Sequence, residues 1–322
     1  MVEQQLPDIH DVFAARANVY RYLKPTPLHY YAGLSGLIGA EVWVKHENHH
    51  RVGAFKVRGG LNLAAHLNAA ERRAGLFTAS TGNHGQSIAF AAQKYGIKAT
   101  IAVPEGANPG KMAAMRSLGA ELVVHGPDFD AAREWVMSRA EEAHGRFVGP
   151  TEELLISGVG TYALEILEDL PDVDAIIVPV GAGSGACGTS IVAKAINPRI
   201  KVIAAQSAQA PAMQLSWRSG ELLSAEMNTF AEGVATRVPF ANTQRIMREY
   251  LDEFLLVDDT DIKQAIVLFL EHTRNLAEGA GAVSLAAALQ IKERLAGKKV
   301  VLILSGGNLA MEKLRSILLE YQ

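Results

Sequence analysis

Apolar positions along the chain alternate between two rhythms. Short apolar runs such as Ala99-Thr100-Ile101-Ala102-Val103 and Ala175-Ile176-Ile177-Val178-Pro179-Val180 are each followed by stretches with apolar residues at helical spacing. The first kind reads as a buried strand and the second as one face of a helix. A first helix is predicted from Asp8 to Leu23, with Ile9, Val12, Phe13 and Val19 on its apolar face, and Pro25-Thr26-Pro27 cannot continue it. A short helical stretch leads to a strand at Glu41-Val42-Trp43-Val44-Lys45, and Gly53 and Ala54 open a helix running to about Arg73.

From Leu76 the units shorten. Strand Leu76–Ala79 precedes a Gly-Asn-His-Gly turn and a helix from Gln86 to Tyr95. Strand Ala99–Val103 precedes a helix near Met112 to Leu118, and strand Glu121–Val124 one from Phe129 to Ala143. The second half repeats the theme with a helix from Gly160 to Leu167, strand Ala175–Val180, a glycine-rich loop, a helix from Thr189 to Ile196 and strand Val202–Ala205. Helices from Thr260 to Arg274 and Ala282 to Leu295, strand Val300–Leu304 and a terminal helix after Asn308 complete it. Alternating strands and helices imply an α/β fold whose sheets are mainly parallel, with right-handed crossovers and helices on their faces. The pattern divides the chain into a large domain, 1–74 plus 149–322, and a small one, 75–148.

Composition narrows the function classes. The 322 residues are 49% hydrophobic and 20% charged, ordinary for a soluble enzyme. A net charge of −3 offers no basic field for nucleic acid and no polybasic membrane patch. The apolar runs fall well short of the roughly 20 residues of a membrane span. Met1-Val2-Glu3-Gln4-Gln5 does not resemble a secretory signal, and the single Cys187 excludes an internal disulfide framework. A cytoplasmic protein is expected.

Candidate chemistry gathers at four places. In Val52-Gly53-Ala54-Phe55-Lys56-Val57-Arg58-Gly59-Gly60, Lys56 stands among small and apolar residues. Such surroundings desolvate an amine and favour its neutral form, the one that makes a Schiff base. Gly181-Ala182-Gly183-Ser184-Gly185-Ala186-Cys187-Gly188 follows a strand and opens a helix, so backbone N–H groups and a helix dipole converge where side chains are absent. A tight turn needs fewer glycines, and phosphate binding is the better reading. Gly183, Gly185 and Gly188 also match a dinucleotide fingerprint, but that reading needs an acid about 20 residues on, where Gln206 stands. Ser80-Thr81-Gly82-Asn83-His84-Gly85, at a strand-to-helix junction, suits a small carboxylate, or simple helix capping. Ser305, after the last strand, is placed to meet a ring nitrogen or to cap the final helix. A Schiff-base lysine, a phosphate cup, a carboxylate turn and a strand-end hydroxyl together describe a pyridoxal phosphate site.

These motifs, in this order, resemble those of the fold-type II pyridoxal phosphate enzymes, and within them the serine/threonine dehydratase and serine racemase group, across essentially the whole chain. The cofactor-lysine motif has Ala54 where serine is frequent, and Ala182 and Ser184 replace glycines of the phosphate loop. The resemblance implies two open, twisted, mainly parallel sheets like those of the tryptophan synthase β chain, and pyridoxal 5′-phosphate as cofactor. It implies that Lys56 holds the cofactor, that Phe55 packs beside its ring, and that Gly181, Ala182, Gly183, Ser184 and Gly185 take its phosphate. Asn83 and Gly233 are implied at the 3′-oxygen edge and Ser305 at the pyridine nitrogen, while Ser80, Thr81, Asn83 and His84 border the substrate. The implied reaction is dehydration of a β-hydroxy amino acid, such as L-threonine or L-serine, to a 2-oxo acid and ammonia, with Lys56 as the Cα base.

Departures from the family pattern bear on the reaction. Racemases of this group carry serine where Thr81 stands, opposite the lysine. The metal-binding carboxylates of some members are replaced by Gln206 and Ala212, so no metal is expected there. Val148-Gly149-Pro150-Thr151 and the turn Gly158-Val159-Gly160-Thr161 differ from the family's substrate border, so phenylserine or 3-hydroxyaspartate could replace threonine or serine as substrate. The second would need a further cation, from His84 or Arg133. Racemisation and β-replacement are the rival reactions on the same cofactor, and a non-catalytic amino-acid sensor is the rival without one. The length leaves no room for a C-terminal regulatory domain, so feedback by an end-product amino acid is not expected. A homodimer or homotetramer is implied, with no nucleic-acid or membrane partner.

Overall fold

In the computed structural model, residues 6–321 are described; the N-terminal pentapeptide that argues against a secretory signal lies outside them. The strands are β1 Leu28–Tyr30, β2 Glu41–His46, β3 Leu76–Ala79, β4 Ala99–Val103, β5 Glu121–Val124, β6 Arg146–Phe147, β7 Ala175–Pro179, β8 Lys201–Ser207, β9 Glu253–Val257 and β10 Lys299–Leu304. The helices are α1 Ile9–Tyr20, α2 Ala32–Ile38, α3 Val57–Ala65, α4 Ala69–Ala74, α5 Asn83–Tyr95, α6 Pro109–Ser117, α7 Phe129–Glu142 and α8 Glu153–Asp169. They continue with α9 Ser184–Ile196, α10 Ala212–Ser219, α11 Ala241–Tyr250, α12 Asp259–Thr273, α13 Gly279–Gln290, α14 Lys292–Leu295 and α15 Met311–Glu320. One sheet runs β1-β2-β10-β7-β8-β9, parallel except for the β1–β2 pair, and the other runs β5-β4-β3-β6, all parallel.

Alternation along β7 shows how the large sheet is buried on both sides. Ile177 packs with Val42, Phe269 and Val283 on the α12–α13 side, while Ile176 and Val178 pack with Ile156 and Ile191 on the α8–α9 side. Each such side chain contributes about 1.5–3 kcal/mol on burial, and a strand buried on both faces reads as an unbroken apolar run. In the small sheet, Phe77 and Ala102 pack on Ala132 and Val136 of α7. Its other face shares a core with Val57 and Leu61 of α3 and Leu155 of α8.

Several expectations are corrected. The helix predicted from Gly53 to Arg73 is two helices preceded by a loop. Gly53 adopts φ +67, Ala54 bridges to Gly306, and helix begins only after Lys56. It stops at His66, and Asn68 caps α4 through a reciprocal box with Glu71. Phe13, expected on the buried face of α1, is exposed, whereas Val12, Ala15 and Val19 point inward. Gly158-Val159-Gly160-Thr161 is not a turn but the middle of α8. A Cβ on Gly158 would stand 2.7 Å from the Arg58 carbonyl oxygen, and one on Gly160 2.9 Å from Val12, so the glycines allow close helix packing. The short strands β1 and β6, together with β9, α10 and α11, have no counterpart among the predicted elements.

Candidate active site

Three of the predicted motifs leave the carboxyl ends of β3, β7 and β10, where ligands collect on parallel sheets, and the Lys56 segment is tied to the last of them. The segment before Lys56 and the one after β10 are hydrogen-bonded as a short antiparallel ribbon. Phe55 N–H donates to the Ser305 carbonyl at 3.0 Å, Gly307 N–H to that of Gly53 at 2.9 Å, and the Asn308 amide to that of Val52 at 2.8 Å. A side chain on Gly53 would collide with Asn308 Oδ1 at 2.5 Å, which explains glycine at this positive φ. Lys56 thus caps α3 beside Ser305, itself 4% exposed, with its carbonyl accepting from Ser87 Oγ at 2.6 Å.

The Lys56 ammonium lies 4.9 Å from the Phe55 ring centroid, and no carboxylate among the described residues stands within ion-pair distance of it. It is partly exposed, yet desolvation lowers its pKa to about 8, opposed by the charge of Glu278. A neutral amine is therefore accessible near physiological pH.

The glycine-rich loop follows β7. Gly183, at φ +102, is the N-cap of α9, which begins at Ser184 and not at Thr189 as the sequence suggests. Ser184, Gly185 and Ala186 occupy its first turn, where N–H groups lack intrahelical partners. A Cβ on Gly181 would lie 2.2 Å from the Gly233 carbonyl oxygen, which sets Gly233 against the cup. A Cβ on Gly185 would lie 3.6 Å from the Phe55 ring, and Thr243 Oγ1 donates to the Ala182 carbonyl at 2.8 Å. A loop with glycine at 181, 183 and 185, packed on Phe55 next to the unpaired amine of Lys56 in the chain, fits a planar aldehyde bearing a phosphate.

Gln206 is spent on the protein itself. Its amide donates to Thr236 Oγ1 at 2.9 Å and the Val234 carbonyl at 3.3 Å, and its oxygen accepts from Gln214 N–H at 3.3 Å. Ala212 is buried at the start of α10.

In the third motif α5 starts at Asn83, three residues before the predicted Gln86. Ser80 Oγ accepts from the N–H groups of Gly85 at 2.9 Å and Gly82 at 3.3 Å, which shapes the turn carrying Thr81. The Asn83 amide donates to Glu278 Oε1 at 2.6 Å, and its oxygen accepts from Asn308 at 2.9 Å. His84 is buried and contacts the Val148 carbonyl at 3.3 Å. Desolvation and the Lys56 charge lower its pKa to about 4, so it is neutral and supplies no cation for a second carboxylate. Arg133 is exposed on α7.

Two features of the site have no counterpart among the predicted motifs. Glu278 is buried beside Asn83, and its only signal is a lone acid in the small-residue run Ala277-Glu278-Gly279-Ala280-Gly281. The cleft mouth is framed by Glu232, which pairs with Lys111 of α6 and, at 2.6 Å, with Lys313 of α15. An opening lined by Asn108, Lys111, Glu232, Gly233, Glu278 and Asn308 leads inward. A larger cavity, about 450 Å³, lies at the amino ends of β7, β8 and β9 and includes none of the predicted site residues.

Comparison with known proteins agrees with this geometry. Residues 19–306 match the family model described as pyridoxal-phosphate dependent enzyme. The L-threonine ammonia-lyase of Thermotoga maritima is 39% identical over 312 residues, covering 96% of this chain and 78% of the relative. The structure of threonine deaminase isoform 2 from Solanum lycopersicum superposes with TM-score 0.91 at 30% identity, over 98% of both chains. Maize serine racemase superposes with TM-score 0.93, also at 30% identity and 98% coverage of both chains.

Proposed function

The chain belongs to the pyridoxal-phosphate-dependent enzymes, and from that membership we propose that it is a dehydratase (ammonia-lyase) of a β-hydroxy amino acid such as L-threonine or L-serine. The observation that carries this reading is the unpaired amine of Lys56 at the same edge of the sheet as a glycine-rich helix N-terminus, with Phe55 packed between them. The relative named L-threonine ammonia-lyase supports the substrate class.

Bound pyridoxal phosphate supplies a conjugated electron sink that stabilises negative charge at the substrate Cα. In our reading Lys56 holds it, the first-turn N–H groups of α9 with Gly181, Ala182, Gly183, Ser184 and Gly185 take its phosphate, and Phe55, Asn83, Gly233 and Ser305 border its ring. The helix dipole favours that anion without a counter-cation. Lys56 Nζ would take the substrate Cα proton, a role suited to an amine whose pKa is about 8. The N–H groups opening α5 and the hydroxyls of Ser80 and Thr81 hold the substrate carboxylate, with His84 as a neutral wall. Loss of the β-hydroxyl as water, followed by hydrolysis, gives the 2-oxo acid and ammonia. Residues 75–148 act as the domain carrying the substrate loop, and the protein works as a cytoplasmic homodimer or homotetramer. Gln206 leaves no divalent metal requirement.

The test is an assay of 2-oxo acid and ammonia across a panel of β-hydroxy amino acids, with and without chelator. Threonine or serine turnover insensitive to chelator is expected, and Lys56→Ala abolishes it. Purified protein that stays colourless after reconstitution would sink the cofactor assignment. Two observations favour a second reading: Thr81 keeps a hydroxyl in the substrate turn, and a serine racemase superposes over 98% of the chain. Inversion at Cα without ammonia release would establish it.

A further inference from the structure

A carboxylate held inside a protein without an ion-pair partner is costly to bury. Glu278 is 7% exposed, and no cation among the described residues stands within ion-pair distance of it. Its N–H donates to the Gly306 carbonyl at 3.0 Å, and a Cβ on Gly306 would stand 2.3 Å from its Oε1. The carboxylate therefore lies against the backbone that follows Ser305. A glutamine here would keep the packing at a lower desolvation cost, so the carboxylate contributes something glutamine lacks.

Two properties are at issue. An ionised carboxylate only accepts hydrogen bonds, whereas a glutamine amide can turn and donate. Because Glu278 accepts at 2.6 Å, the Asn83 amide must turn its NH₂ toward it. The Asn83 oxygen is left to accept from Asn308, whose NH₂ also serves the Val52 carbonyl. One acceptor thus orders two amides, linking α5 to the ribbon that carries Lys56. The other property is charge. Lys56 at the start of α3 and Lys111 on α6 act on Glu278 as cations, Glu232 as an anion, and the neutral His84 of α5 faces Lys56.

We propose that Glu278 is a positioning residue of the active site, which fixes the orientation of the Asn83 amide and presents a buried anion to Lys56. Glu278 opposes the desolvation that lowers the Lys56 pKa, while its own pKa is raised by desolvation. The positioning half of this inference rests on the reading that Lys56 and Asn83 hold the cofactor.

The experiment uses the full chain in apo and reconstituted forms. In the apoprotein, modification of Lys56 by trinitrobenzenesulfonate, quantified by peptide mass spectrometry against pH, reports the free amine. The wild-type midpoint is expected near the pKa of about 8. Glu278→Gln moves it down by about one pH unit, and Glu278→Asp keeps it near wild type because the charge remains. Asn308→Ala also leaves that midpoint unchanged, but it weakens pyridoxal phosphate binding about tenfold by absorbance titration, since Asn83 loses one of its two anchors. A Glu278→Gln midpoint equal to wild type overturns the charge role; if that variant does not fold, an Asp midpoint as low as predicted for Gln does so. Unchanged cofactor affinity in Asn308→Ala and Glu278→Asp overturns the positioning role. Borohydride trapping of cofactor on wild-type Lys56 tests the functional reading separately: its failure removes that reading and the positioning role, while the apoprotein midpoints still decide the charge role.

Discussion

Lys56 and Arg58 stand two residues apart at the start of one helix and meet opposite fates. Arg58 is fully buried and saturated. Its Nε and Nη2 reach Glu47 at 2.7 and 2.8 Å, its Nη1 and Nη2 reach Glu165 at 2.6 and 2.9 Å, and Nη1 also reaches Thr161 at 3.1 Å. Lys45 joins Glu165 at 2.6 Å, so two buried cations face two buried anions. Tyr20 and Thr26 fill further acceptor positions on the two glutamates, and His50 contacts Glu47 at 3.1 Å. Lys56 has no such partner among the described residues. The guanidinium fork suits one region, since it satisfies two carboxylates in fixed geometry, and the single amine suits the other, since it neutralises easily. Saturated bonding behind the helix anchors it, and incomplete bonding in front leaves an amine free to react.

Breaking the saturated side should have the larger effect. Arg58→Met leaves Glu47 and Glu165 with only Lys45 and the His50 contact, an undercompensated buried pair of anions that costs about 3–5 kcal/mol. Urea unfolding of the apoprotein measures it; a loss below about 1 kcal/mol would mean that water or a shifted side chain replaces the fork. Breaking the unsaturated side should have the opposite sign. Lys56→Met removes a desolvated amine that makes no ion pair; the lost attraction to Glu278 offsets only part of that desolvation, so the apoprotein gains about 1 kcal/mol while losing all cofactor attachment. If Lys56→Met destabilises instead, the amine has a structural partner and the contrast fails.

One of these regions is legible in the sequence and the other is hidden. The burial of Lys56 is hinted at by the glycine, alanine and phenylalanine beside it, and it becomes a candidate once the glycine-rich loop, the Ser80–His84 turn and Ser305 are read with it. The strands of the interior are legible for the same kind of reason, since β3, β4 and β5 fall within their apolar runs. The network around Arg58 is not, because Glu47 and Glu165 lie 11 and 107 residues from it and nothing local announces the pairing. The glycines of α8 look like a turn in sequence because the need for them comes from α1 and α3 packing alongside. Glu278 stays hidden as an acid ahead of a helix whose apolar pattern points to a start at Ala282, three residues after the true one at Gly279. Residues chosen for local backbone or solvation reasons are readable; residues chosen for a distant partner are not.

The smallest expected effect separates the regions by pH. Glu47 and Glu165 have lowered pKa values because Arg58 is beside them, so their contribution is present above the usual carboxylate range and is lost as pH falls through their folded values. In alkaline solution those carboxylates are silent. Lys56 behaves differently: folded it titrates near 8, against an ordinary lysine value of 10.5. Between those values the unfolded chain binds the extra proton, so apoprotein stability rises with pH across that window. Tyr20 and Tyr162, whose pKa values burial raises, work the other way once unfolded tyrosines ionise near 10, so the comparison belongs well below that, between pH 8 and 8.5. Unfolding there should show wild-type apoprotein gaining about 0.5 kcal/mol relative to Lys56→Met, and the same relative gain in an Arg58→Met background. A gain that disappears with Arg58 would mean that the two sides of the helix share one electrostatic unit.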